Sequence, residues 1–77
     1  MENDTFSTKD LQLGAYCMAK GLKFLGHHRE DKRVYFSFEG KQAGEKLAQE
    51  FFGDGVVEIS KYRLAMSRLR TLIFDIE

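Results

Sequence analysis

The sequence predicts an α+β domain: a short N-terminal strand, a helix, an antiparallel β-hairpin, and two further helices packed on one face of a small sheet. Three observations carry this. Val34, Phe36 and Phe38 alternate with Tyr35, Ser37 and Glu39, the period of a strand with one buried face. Ala43, Leu47, Ala48 and Phe51 recur at threes and fours, as do Tyr62, Ala65, Met66, Leu69, Leu72 and Ile73, which is helical spacing. Proline is absent, so seven glycines alone punctuate the chain and separate these runs.

Taken in order, residues 1–5 read as a disordered tail and residues 6–77 as one domain. Phe6-Ser7-Thr8 is a brief extended piece, and Ser7 with Asp10 has the spacing of a capping box. A helix follows from Thr8 or Lys9 to Lys20, stopped by Gly21 in a left-handed conformation. Leu11, Ala15, Met18 and Ala19 share one face, widened by Leu13, Tyr16 and Cys17, so this helix is mostly buried. Gly14 and Ala15 keep that face thin and let another backbone come close. Leu22–His28 and Arg33–Phe38 form the hairpin around Arg29-Glu30-Asp31-Lys32, a turn too polar to pack. The first strand alternates poorly, which leaves its facing open by one residue. Gly40–Phe52 is the second helix, and Gly53-Asp54-Gly55 turns the chain. Val56–Ile59 is a third short strand or an extended connector, and Ser60 caps a last helix reaching Phe74.

Seventy-seven residues allow one core, which buries only about 60% of the unfolded surface and keeps oligomerisation open. Forty-three per cent apolar and 31% charged residues describe a globular rather than a disordered chain. A single cysteine excludes an internal disulfide and a four-cysteine zinc site. An acidic start with no apolar run behind it excludes a secretory signal, and the longest apolar stretch, Ala15–Ala19, cannot span a bilayer. A reducing, cytoplasmic setting is expected.

Twelve basic against twelve acidic residues exclude a polycation, but the total hides structure. Residues 20–33 set Lys20, Lys23, Arg29, Lys32 and Arg33 against two acids, residues 34–58 set five acids against two lysines, and the last helix is basic again. Lys61 and Arg68 are seven apart, as are Arg63 and Arg70, so each pair makes its own row about two turns long. Such charges read first as a solvated face, or as partners of Glu45, Glu50 and Glu58. The alternative is a phosphate-contacting surface built from Lys20, Lys23, Arg29, Arg33, Arg63, Arg68 and Arg70.

Catalytic chemistry finds little support. His27 and His28 are adjacent on a strand and point to opposite faces, one expected half-buried and one exposed. No further ligand accompanies them at metal-binding spacing, so no metal or cofactor is expected. Cys17 sits in the most apolar stretch and reads as core. Gly53-Asp54-Gly55 lacks the spacing and the Lys-Ser/Thr pair of a phosphate-binding loop. Tyr35 is the one ring expected to face outward, which leaves little for base stacking. An enzyme is not expected.

The run Phe6-Ser7-Thr8-Lys9-Asp10-Leu11, then Lys20-Gly21-Leu22-Lys23, Phe36-Ser37-Phe38, Phe51-Phe52, and Tyr62, Ala65, Leu69, Arg70, Leu72 and Ile73 carry a further signal. Together they resemble a family of short bacterial and phage or mobile-element proteins of unknown function, from about Phe6 to Phe74. Gly14 stands where that pattern usually has alanine. The resemblance implies this fold and an accessory role, and lends no catalytic residue. The first expectation is a protein-interaction or assembly module that binds itself or another protein, and the alternative is a nucleic-acid-binding module.

Overall fold

A computed structural model describes residues 4–76, in which six elements follow one another: β1 (Thr5–Thr8), α1 (Leu11–Ala19), β2 (Phe24–Glu30), β3 (Arg33–Glu39), α2 (Lys41–Phe52) and α3 (Ile59–Ile76). β3 is the central strand, antiparallel to β1 on one side and β2 on the other. Phe36 and Phe38 point from it into the core and are fully buried, with Phe24 across the ladder from Phe38 at 5.4 Å between ring centroids. Burying each ring stabilises the fold by about 1.5–3 kcal/mol. α1 lies over this face with Leu13 to Cys17 buried, and α3 lies chiefly against α1 through Ala65 and Leu69. The extents of 34 × 33 × 18 Å are those of two layers. The other sheet face carries no helix: Ser7 and Ser37 share a 3.0 Å hydroxyl contact there, and His28 stacks on Tyr35.

Several local expectations change. Thr5 opens β1, and Asp4 is engaged twice: its carbonyl accepts the Gly40 N–H and its carboxylate accepts the Lys41 N–H, capping α2 from the far end of the chain. Of the expected tail, Thr5 thus lies in β1 and Asp4 is hydrogen-bonded, while residues 1–3 lie outside the described residues. The cap of α1 is Asp10, whose carboxylate accepts from the N–H groups of Gln12 and Leu13; Ser7 is occupied within the sheet. Gly21 does stop α1: at φ +97° it lets its own N–H and that of Leu22 return to the Met18 and Cys17 carbonyls.

The hairpin is longer than its polar residues suggest. Arg29 pairs with Val34 and Glu30 with Arg33, leaving a two-residue turn in which Asp31 is left-handed at φ 59°. A bulge between Phe24 and Gly26 accounts for the poor alternation of β2. His27 and His28 are both exposed, because β2 is an edge strand that packs chiefly on β3 and has no helix laid closely over it. In α2 the close approach belongs to Gly44, buried against Phe6, while Ala43 is exposed. Val56–Glu58 is a connector rather than a strand. The carbonyl of Glu58 accepts the Tyr62 N–H, so α3 starts one residue before Ser60, whose hydroxyl instead donates to Glu58.

Candidate interaction surface

The basic residues lie on more than one surface, although Arg68 borders a hollow with Gly21, Leu22 and Phe24, next to Lys20 and Lys23 in the chain. Lys20 Nζ donates to the Val56 carbonyl at 3.0 Å and lies over the Tyr16 ring, so its charge is engaged in holding the connector. Lys23 makes a loose 3.9 Å pair with Glu39, both largely in water, an arrangement worth little. Arg29 shares the inner side of the hairpin with Val34, whereas Arg33 shares the outer side with Tyr35. On α3, Arg68 and Lys61 border a hollow against Met18 and Ala19. Arg63 and Arg70 border another with Met66 and Phe74 on a different flank. Arg68 and Arg70 are two residues apart, about 200° around the helix, so the two rows face away from each other. Lys61 pairs with Glu58, and Glu50 receives Tyr16; among the described residues Arg63, Arg68 and Arg70 have no ion pair.

Apolar side chains are exposed instead at one junction of the chain: Phe52 at the end of α2, Val56 on the connector and Ile59 at the start of α3 are 72%, 77% and 69% exposed. Beside them a shallow hollow of about 420 Å3 is lined by Tyr16, Phe51, Val56, Val57, Ile59 and Tyr62 with the backbone of Gly55, and no charged side chain. The connector that presents these residues is pinned. Gly53 and Gly55 N–H groups both return to the Glu50 carbonyl, at 3.0 and 2.8 Å. The Tyr16 hydroxyl donates to the Glu50 carboxylate at 3.1 Å, and a Cβ on Gly55 would overlap that hydroxyl and the Glu50 backbone. Only glycine fits there. Lys20 holds the next residue, Val56, by its carbonyl.

The sequence reading missed this surface, and it expected Tyr35 to be the outward ring. Tyr35 is half-covered by its stack on His28, whereas Phe52 and Phe74 stand in solvent. One signal was available: adjacent residues on a helix sit about 100° apart, so Phe51 and Phe52 cannot both face the core.

Two titratable groups of α1 are shifted, both toward holding their protons. Burial pushes the Cys17 thiol up to about 11, so it stays protonated at neutral pH and lacks the thiolate a nucleophile needs. Burial first, and the hydrogen bond to Glu50 second, raise Tyr16 above the ordinary tyrosine value. Among the described residues no group of three or more His, Cys, Asp or Glu could hold a metal, and no helix is long and apolar enough to cross a membrane.

Residues 3–75 match the model of a family described as a domain of unknown function, DUF5659. This chain belongs to the DUF5659 family. The DUF5659 match runs from before β1 into α3 and so takes in both the core and the apolar end. No curated protein and no solved structure matches the chain.

Proposed function

We propose that this DUF5659 protein is a small non-enzymatic interaction module that docks onto a protein chain through the apolar end formed by Phe52, Val56 and Ile59. The observation that carries the reading is the exposure of these three side chains on a pinned connector and the two helix ends it joins. Val56 and Ile59 share the lining of one uncharged hollow, and an exposed apolar patch of a few hundred Å2 on a monomer marks an interaction site. Pinning matters energetically, because a surface already held in one shape loses little conformational freedom when it binds. The resemblance to phage and mobile-element proteins supports an accessory role, and the single cysteine suits a reducing, cytoplasmic setting.

A second reading, nucleic-acid binding, draws on Arg63, Arg68 and Arg70, which have no ion pair among the described residues. Against it, the two rows of α3 face different flanks and Lys20 is committed to Val56.

A photo-reactive amino acid placed at position 56, and separately at the exposed position 42 on α2, tests the proposal in the cells that make the protein. Cross-linked protein from position 56 alone is expected; equal products from both positions, or none, would refute it. Titration with single- and double-stranded DNA and RNA at two salt concentrations tests the second reading, which requires affinity that drops steeply with salt.

A further inference from the structure

We propose that the hollow bounded by the end of α1, the start of β2 and α3 binds a small amphipathic carboxylate, its carboxylate on the Arg68 guanidinium and its apolar body against Met18, Leu22, Phe24 and Leu72. The site shares no lining residue with the hollow at the apolar end and is independent of it. Its volume of about 660 Å3 falls within the roughly 300–1,000 Å3 typical of small-molecule pockets. The fold leaves it open. Among the described residues α3 packs on α1 and makes little contact with β2, so Leu72 and Phe24 flank a gap instead of closing one. Gly21, where α1 turns toward β2, adds no side chain, and a Cβ built there would meet nothing. Met18, Leu22, Phe24 and Leu72 are each half-buried against the core and leave their remaining apolar surface to the hollow.

The polar part of the lining sets the class of ligand. Arg68 is its one charged side chain and has no ion pair among the described residues. The neighbouring cations are engaged elsewhere, Lys20 with the Val56 carbonyl and Lys23 with Glu39. Carbonyls at the end of α1 are taken up as well: Met18 and Cys17 accept the Gly21 and Leu22 N–H groups. A planar guanidinium meets a carboxylate through two parallel hydrogen bonds, and a single cation balances a monoanion rather than a phosphate dianion. Apolar walls with one fixed positive charge at the rim therefore suit a carboxylate that carries an apolar body.

Hexanoate, octanoate and decanoate, titrated below their micelle concentrations into the full chain and followed by two-dimensional NMR, test the site. Binding is expected to shift the signals of Met18, Leu22 and Leu72 and to tighten about twofold to fourfold for each added methylene. Arg68→Gln should weaken it about tenfold, while Arg70→Gln, which removes the same charge from another flank of α3, should leave it within about twofold. Thr71→Phe, a change at an exposed helix position on the lining, should fill the hollow and weaken octanoate by about tenfold or more. Octanol, with the same chain and no charge, should bind about tenfold more weakly than octanoate. No shifts with any of the three acids, octanol equal to octanoate, or equal losses from Arg68→Gln and Arg70→Gln would overturn the proposal. Shifts centred on Val56 and Ile59 would overturn it too, because the chain would then occupy the other hollow.

Discussion

Replacing Gly44 by alanine sets two effects of known size against each other. Alanine in a helix interior is favoured over glycine by about 1 kcal/mol, so on propensity alone the substitution stabilises α2. The added Cβ, however, would overlap Cβ, Cγ and Cδ2 of Phe6. A side-chain rotation cannot relieve an overlap with Phe6 Cβ, because that atom is fixed by the backbone of β1. Either β1 moves away from α2, which strains its four-residue pairing with β3, or α2 lifts and exposes Phe6 and Leu47. Overpacking of this kind costs about 1–3 kcal/mol, and a backbone shift belongs at the upper end. The net expectation is a loss of about 1–2 kcal/mol. For a domain of this length that lowers Tm by roughly 4–16 °C. Urea unfolding followed by circular dichroism measures it, and a variant as stable as wild type, or more so, would refute the close packing of β1 on α2. Gly14→Ala is the internal comparison. Its Cβ would sit 3.2 Å from Leu69 and 3.4 Å from Phe36, so side chains need yield only slightly. Overpacking and propensity then nearly cancel, and unfolding should move by less than about 1 kcal/mol.

Further predictions follow from the same contacts. Asp10→Ala should destabilise by about 1 kcal/mol because it strips the cap of α1, while Ser7→Ala, which loses a solvent-exposed hydroxyl contact, should cost well under that in the same urea titration. Tyr16→Phe removes the hydroxyl that holds Glu50; a loss of about 1 kcal/mol is expected, with faster hydrogen exchange at the Gly53 and Gly55 amides, and unchanged exchange would show that the connector is not pinned from α1. Cys17 and Tyr16 both hold their protons more tightly when folded than the ordinary values of 9.0 and 10.0. Above pH 9 the unfolded chain therefore releases protons first, so stability should be level up to about pH 9 and fall as the pH rises through 11. At neutral pH the native Cys17 thiol should resist iodoacetamide until the chain is unfolded, and rapid native alkylation would contradict its burial.

Local information in the sequence reached as far as periodicity and stop signals reach. Val34, Phe36 and Phe38 announce the inner face of β3, the stripe from Tyr62 to Ile73 announces the buried side of α3, and Gly21 announces the end of α1. The misassignments share a cause, which is competition settled by residues distant in sequence. Ser7 and Asp10 are both capable caps, and Ser7 loses because Ser37 across the sheet takes its hydroxyl. Spacing favours Ala43 over Gly44, yet α2 turns Gly44 inward because Phe6 of β1 comes so close. Arg29 and Glu30 look like turn residues because they are charged, but an edge hairpin standing in water carries charge without penalty. The candidate surface lay hidden for a different reason. A helical stripe identifies the apolar residues that share the core and is silent about those off it, and Ile59, Leu64 and Phe74 fall off the stripe. The basic residues were visible as types, but only the fold shows that Lys20 clamps the connector and that the arginines of α3 look in different directions.

The central claim is that the end of the molecule bearing Phe52, Val56 and Ile59 is the docking surface. Photo-reactive residues placed one at a time at positions 52, 56 and 59, and at 35, 37 and 42 for comparison, test it most directly in the cells that make the protein. The account predicts protein adducts from the Phe52, Val56 and Ile59 positions and none from those of Tyr35, Ser37 and Gln42. Adducts centred on the uncovered sheet face at positions 35 and 37, or none from positions 52, 56 and 59, would contradict it.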